Sequence, residues 1–383
     1  MPGSIRKVPD NTMAESAPRV IYLGWSRLHR QRANLIQTLH TAAAFSRLGL
    51  DFTLYLPPWK KDVRLDAVLA GLGIHDPVDV RPSRLLHRRW GGLPFVLAHR
   101  HGLRHADAVY TRVPELSLLM ARRGIVHHFE VHDTETMLAR NQFDEIVAHH
   151  RCGTIDMLVA ISDTARQRLE AAGAPAERTM VAASGVDYPR YARLPLPDAA
   201  RFRRPRLVYV GRVSRTRGLD VLEALALRWD HPVTVIGPVD EGSEPKVPVQ
   251  SQIAHVEVAD TYDRHEVALM PYRDDLQHVA SISPIKLFEA MAAGRVVIAS
   301  DLPALRGLIR DGIDGLLVDA RDPEAWHRAI ERVRLNPGLA TAMASAARQR
   351  AEEFSWSRRA ERIAGRILHL APDTTIRRPE LAN

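Results

Sequence analysis

At 383 residues, 45% of them apolar and 26% charged, the chain has room for two or three domains of about 150 residues, whose cores need no covalent staples. Its single cysteine, Cys152, excludes an internal disulfide framework and fits a reducing compartment, and no apolar run approaches the roughly 20 residues that span a bilayer. The net charge of +8, carried far more by Arg than by Lys, suits nucleic acid, an anionic membrane face or phosphorylated ligands, and equally a biased genome, so charge alone selects no partner.

Residues 1–18 are polar, contain Pro and Gly and lack the apolar core of a signal peptide, which predicts a disordered leader and a cytosolic chain. Strand-like runs then alternate with helical patterns. Strands are predicted at 20–23, 52–56, 108–110, 125–131 and 157–161, with helices at 32–48, 114–123 and 162–172. Between 186 and 205 the pattern breaks at Pro189, Pro195 and Pro197. A second series follows, with strands predicted at 207–210, 233–236, 254–258, 267–270, 296–299 and 315–318. Its helices are predicted at 219–228, 285–293, 304–310, 323–335, 338–353 and 356–370, before a disordered tail at 371–383. Such alternation predicts an α/β fold of two doubly wound, Rossmann-like domains, at 19–187 and 206–355, facing across a cleft. The carboxyl ends of the strands line that cleft, which is where a ligand is expected.

The segment Ser281-Ile-Ser-Pro-Ile-Lys-Leu-Phe-Glu289 reads as a helix start aimed at the cleft. Ser283 is a plausible N-cap, Pro284 suits the first turn, and the free amides there would attract a diphosphate. Lys286 adds charge, and Glu289 could accept hydrogen bonds from ribose hydroxyls; an ordinary capped helix with a solvated Glu is the alternative. After the strand at 207–210, Gly211-Arg-Val-Ser-Arg-Thr-Arg-Gly218 lacks the spacing of a dinucleotide fingerprint but offers Arg212, Arg215 and Arg217, whose forks suit phosphate oxygens. A solvated basic loop remains the alternative.

Ser283-Pro-Ile-Lys-Leu-Phe-Glu-Ala-Met-Ala-Ala-Gly294, Val296-Val-Ile-Ala-Ser-Asp-Leu-Pro303 and Ile309-Arg-Asp-Gly-Ile-Asp-Gly-Leu-Leu-Val318 together resemble the retaining glycosyltransferases of family 4, which have the GT-B fold. Gly211-Arg212, Arg217-Gly218, Gly185-Val-Asp187 and Phe354-Ser-Trp-Ser357 add to the resemblance, which covers most of the chain and is strongest over 206–362. It implies a metal-independent hexosyltransferase that moves a sugar from a nucleoside diphosphate to an acceptor hydroxyl with retention of configuration, in cell-surface polysaccharide or glycolipid assembly. No cofactor is implied beyond the nucleotide-sugar co-substrate. The donor would be held by Gly211, Gly237, Ser281, Ile282, Ser283, Pro284, Ile285, Lys286 and Glu289, with Arg212 and Arg217 on the diphosphate. Glu289 matches the second carboxylate of the family's Glu–seven residues–Glu motif, whereas the first falls on Ser281. The resemblance also sends the last helix back to the N-terminal domain.

In the N-terminal half, Glu130-Val-His-Asp133 closes a predicted strand, and His132 resembles the family's active-site histidine. His132, Arg212 and Arg217 are thus the expected catalytic groups. His128 and His132 share a strand face, but two ligands are too few for zinc, and Asp133 with Glu135 is read as structural; no metal is expected. Gly24, Arg32 and Asn34, after the first strand, are expected on the acceptor side, for a glycan, lipid-linked or small-molecule acceptor. Residues 81–105 interleave Arg and His with Trp90, Leu93 and Leu97, which suits either peripheral contact with an anionic inner membrane face or a buried helix with a solvated loop. No nucleic-acid motif accompanies the charge. Two other functions stay open: a nucleotide-sugar epimerase of the same fold, and a catalytically silent sugar-nucleotide or membrane-binding module.

Overall fold

The computed structural model describes residues 17–29 and 32–370. Most of the expected leader, the expected tail and two residues of the first loop, Arg30 and Gln31, lie outside the described residues.

Two all-parallel sheets follow one another along the chain. The first comprises β1 (Arg19–Leu23), β2 (Asp51–Leu56), β3 (Val80–Pro82), β4 (Ala108–Thr111), β5 (His127–Val131), β6 (Ile155–Ala160) and β7 (Thr179–Val181), in the order β3-β2-β1-β4-β5-β6-β7. The second comprises β8 (Leu207–Val210), β9 (Val233–Ile236), β10 (Val249–Gln250), β11 (Val267–Met270), β12 (Val296–Ser300) and β13 (Leu316–Val318), in the order β10-β9-β8-β11-β12-β13. Central strands such as Val267–Met270 and Val296–Ser300 are buried along their whole length, because helices cover both faces of a parallel sheet. Both orders reverse beside the first strand of their series, which opens a crevice at the carboxyl ends of β1 and β4 and of β8 and β11.

Three strands escape the sequence patterns: β3, β7 and β10 are edge strands of two or three residues, too short to display a period. The expected strand at 254–258 is instead a 3₁₀ turn, His255–Glu257, leading into the helix Val258–Asp263. There the Glu257 carboxylate accepts from the amide of Ala254 at 2.9 Å, so what reads as alternation is a helix entry. The helix expected at 304–310 shrinks to Pro303–Arg306, and the break at 186–205 contains two short helices, Tyr188–Ala192 and Ala199–Phe202.

The final helix, Trp356–Ile367, returns to the first sheet. Trp356, Ala360, Ile363, Ala364 and Ile367 belong to the same core as Val20, Leu39 and Leu54. Where the chain crosses between sheets it does so twice, side by side: the amide of Val186 donates to Phe354 O at 3.0 Å, and that of Trp356 to Val186 O at 3.1 Å. Gly185 makes this possible, since a Cβ there would come within 2.5 Å of the Trp356 ring. That close approach gives the Gly185-Val-Asp187 motif a packing cause.

Candidate active site

A cavity of about 730 Å³ lies between the sheets. The second domain lines it with the carboxyl ends of β8 and β9, the loops that follow, and the start of the helix Ile285–Ala292; the first domain contributes Arg32, Ala33, Asn34 and Ile36. The two strand-end loops approach backbone to backbone. Gly237 has φ +142°, and a Cβ on it would stand 2.0 Å from Gly211 O, so only glycine lets the floor of the cavity close.

Of the expected donor residues, Gly211, Gly237, Ile282, Ser283, Pro284, Ile285, Lys286 and Glu289 line this cavity together with Arg212 and Arg217. Ser283 is not the N-cap. That position falls on Pro284 with no capping side chain, and Ser283 Oγ instead accepts from the amide of Ser184 at 2.8 Å, tying the helix start to the linker. The first turn thus has no side-chain cap, which leaves its amides available to an anion.

The cations here are held differently. Arg212 is bound to Asp240, its Nε donating to Oδ1 at 2.9 Å. Arg217 makes no ion pair among the described residues. Lys286 sits with Nζ 3.9 Å from the centroid of the Tyr209 ring and 5.1 Å from that of Tyr272. Burial, then the Arg217 charge, holds Lys286 well below the ordinary lysine range, against the pull of Glu289. A bound anion would relieve both penalties.

Glu289 is buried, and its carboxylate accepts from His255 Nε2 at 2.7 Å. Burial alone would depress His255, but the Glu289 charge and hydrogen bond outweigh it and raise its pKa. His255 was not expected at this site: it lies in the segment read as a strand, and only folding brings it to Glu289.

Ser281 does not line the cavity. It is buried, its Oγ 3.1 Å from Thr134 Oγ1 and 3.3 Å from Glu135 Oε2, so the position that departs from the family pattern holds the two domains together. The Ser162 hydroxyl donates to Ala280 O across the same seam at 3.1 Å.

A second cavity of about 360 Å³ opens at the carboxyl ends of β1, β4 and β5, lined by Trp25, Asn34, Arg88, Arg112, Arg140 and His132 among others; Asn34 lines both cavities. His132 faces this space and not the larger one. Its Nε2 lies 2.5 Å from Glu130 Oε1, an oxygen that also accepts from Arg359 at 2.7 Å and Gln37 at 2.8 Å, while Tyr110 donates its hydroxyl to Oε2. Glu130 and Arg359 are each 1% exposed. Burial would raise Glu130, but Arg359 and His132 hold it well below the usual carboxylate range. Burial, with the Arg112 charge, pushes His132 down to about 4, so the ring is neutral at pH 7. A neutral ring that donates from Nε2 to a carboxylate carries its lone pair on Nδ1, which can then accept from a hydroxyl. The sequence singles out His132 but not Glu130, Gln37 or Arg359, because their convergence depends on three separate elements.

Gly24 lines neither cavity. Its amide donates to Tyr55 O at 3.0 Å and a Cβ on it would stand 2.9 Å from Leu56, which gives it a structural role. Arg32 and Asn34 are exposed on the cavity rim. Asp133 caps the helix Thr134–Ala139, accepting from Thr136 N at 2.8 Å, and Glu135 pairs with Arg168 at 2.9 Å. Residues 81–105 divide: Leu86, Phe95, Val96 and Leu103 are buried, whereas Trp90, Leu93 and Leu97 are exposed, with the Arg89 guanidinium over the Trp90 ring. Among the described residues no helix is long and apolar enough to cross a membrane.

Residues 204–336 match the family model described as glycosyl transferases group 1. Relatives include D-inositol 3-phosphate glycosyltransferases of Geodermatophilus obscurus, 32% identical over 53% of this chain and 50% of the relative, and of Catenulispora acidiphila, 28% identical over 54% and 56%. The matches thus span about half the length of those relatives. Solved structures with the same fold include Anabaena HepE in complex with UDP, 17% identical with TM-score 0.69 over 90% of this chain and 98% of the other. Sucrose-phosphate synthase from Thermosynechococcus elongatus, 16% identical, gives 0.66 over 90% and 97%. Residues 204–336 are therefore similar to the glycosyl transferases group 1 family, within a chain whose two sheets together make the GT-B fold.

Proposed function

We propose that this protein is a glycosyltransferase that takes a hexose-type sugar from a nucleoside diphosphate and gives it, with retention and without a metal, to an acceptor hydroxyl. One observation carries the reading: the larger cavity brings Arg217 and Lys286, cations with no carboxylate partner among the described residues, to an uncapped helix start beside the buried Glu289. A diphosphate supplies the missing negative charge, and a ribose can take the Glu289 carboxylate from His255. Solved neighbours holding UDP and UDP-glucose support the same kind of donor.

In the transfer, the bond from the sugar's anomeric carbon to the diphosphate breaks. The acceptor oxygen bonds to that carbon from the same face, and the acceptor's proton passes to a diphosphate oxygen. Arg212, Arg217 and the amides before Lys286 stabilise the departing charge. Domain closure brings His132 Nδ1 to a sugar hydroxyl and excludes water, which competes as acceptor.

For the acceptor, the second cavity favours an anion: Arg88, Arg112 and Arg140 converge on it, and among the described residues only Arg140 of the three has an ion pair, with Glu115 at 2.8 Å. A phosphorylated polyol, the acceptor class in the relatives' name, fits that charge. The exposed Trp90 and Leu97, with Arg89 over the Trp90 ring, further suit peripheral contact with an anionic inner membrane face during cell-surface glycan assembly.

Thermal-shift screening against UDP-, GDP-, ADP- and dTDP-sugars, followed by transfer assays with Arg212→Ala and Glu289→Ala, tests the reading. Stabilisation by one nucleotide class, with transfer reduced in both variants, is expected. Undiminished transfer in both, or donor conversion that needs no acceptor, overturns it. Equal transfer to a polyol and its phosphate removes the anionic-acceptor reading alone. Equal co-sedimentation with neutral and anionic vesicles removes the membrane reading alone.

A further inference from the structure

At the opposite end of the second sheet from the cleft, before β9, His231 and His327 face each other. His231 Nε2 and His327 Nδ1 are 3.0 Å apart, and a Glu331 carboxylate oxygen lies within 4.8 Å of both. All three residues are half-buried.

Each ligand is oriented by something other than its neighbours in the group. His327 and Glu331 stand one turn apart on the helix Pro323–Leu335, on the same face. The His327 ring lies flat on Trp229, centroids 4.7 Å apart and planes within 5°. The Trp229 ring is in turn covered by the Arg228 guanidinium at 4.5 Å. Asp230, at φ +54°, turns the chain so that the His231 amide donates to Leu225 O at 3.0 Å, closing the end of the preceding helix.

We propose that His231, His327 and Glu331 form a binding site for a divalent ion of the zinc class, separate from the transfer cleft. Two imidazole nitrogens at this distance share one proton between two lone pairs, and an ion can replace that proton. Tetrahedral zinc with bonds of ~2.0–2.1 Å holds neighbouring nitrogens about 3.3 Å apart, so the rings need separate by only a few tenths of an ångström. Glu331 supplies the anionic third ligand. Both its oxygens hold Arg334, at 2.9 and 2.7 Å, but that pair is on the surface, contributes little, and leaves carboxylate lone pairs free. Two imidazoles and a carboxylate suit Zn²⁺, Ni²⁺ or Cu²⁺ over Mg²⁺ or Ca²⁺, and three protein ligands leave one position for water.

Trp229 is a built-in reporter. Titrating the chelator-treated full chain with micromolar Ni²⁺ should quench Trp229 fluorescence to saturation at one ion per chain. Zn²⁺ should reverse the quench, and Trp229→Phe should remove it. His231→Gln and His327→Gln should each abolish the saturable phase, with Glu331→Gln shifting it to higher metal concentration. Glu331→Gln removes only a surface ion pair and therefore keeps the test decisive if a histidine variant fails to fold. His101→Gln with His105→Gln, a second histidine pair with ring centroids 4.2 Å apart, should leave the signal unchanged. No quench in the natural chain, a quench unaltered by Glu331→Gln, or one lost with the His101 and His105 substitutions overturns the proposal. Sugar transfer plays no part in any readout, so this result stands apart from the proposed activity.

Discussion

On the N-terminal side of the cleft, the Glu130 carboxylate is covered by donors from His132, Gln37, Tyr110 and Arg359, which fix the His132 ring and leave its Nδ1 to accept from a ligand. On the C-terminal side, Arg217 has no ion pair among the described residues, and Lys286 rests on two tyrosine rings in place of a carboxylate. The contrast separates two tasks. A group that must hold one tautomer and one direction is surrounded until it cannot move. A group that must receive a charged ligand is left short of countercharge, and its cost in the free protein becomes affinity in the complex.

The largest effect that tests this contrast is on the satisfied side. Replacing Arg359 with Met leaves the Glu130 carboxylate buried without its cation and should lower unfolding free energy by about 3–5 kcal/mol, read from denaturant titration. A loss no greater than that of a surface substitution would erase the distinction. On the unsatisfied side, Arg217→Ala should barely change unfolding. Calorimetry should show it weakening nucleotide-sugar binding by about 2 kcal/mol, roughly thirtyfold in Kd, the value of a hydrogen bond to a charged group.

Smaller near neutrality is a pH effect. Native His127, His128 and His132 are each pushed down to about 4 from 6.5, mainly by burial, so the unfolded chain takes up these protons first. Their contribution is complete above 6.5 and should drain away as pH falls towards 4. His255 acts with the opposite sign, since its raised pKa gives stability at low pH that is lost as pH rises through that value. A melting temperature flat from pH 6.5 to 4 would count against these assignments. The smallest change is expected for Asp240→Asn, which frees the half-exposed Arg212: stability should move by less than about 1 kcal/mol, while donor binding tightens in the same calorimetric assay.

The two halves of the site also differ in how far the sequence reveals them. Gly211, Arg212 and Arg217, and likewise 282–286 with Glu289, are local motifs at the start of a helix, and the folded chain gathers them in one cavity. His132 shows itself as the end of a strand pattern. Its supports do not, because Gln37, Glu130 and Arg359 are far apart in sequence and meet only through tertiary packing. Ser281 illustrates the same limit: spacing locates the position, but only the folded domains reveal that its hydroxyl faces Thr134 and Glu135. Most central strands were legible, whereas the edge strand Thr179–Val181 was not, since three residues carry no period, and the helix Phe143–Arg151 escaped as well, its buried face of Phe143, Ile146, Val147 and His150 being short and partly polar.

The return of the last helix has a consequence for synthesis on the ribosome. The buried core residues packed on the second sheet run from Ala183 to Ala351 along the chain, so that domain can fold as a continuous piece. The first domain, although translated earlier, lacks Trp356 and the cation for Glu130 until residue 359 has been added. The order of completion therefore runs against the order of translation, and the nascent N-terminal half must wait with an uncovered helix face and a buried carboxylate still looking for its arginine.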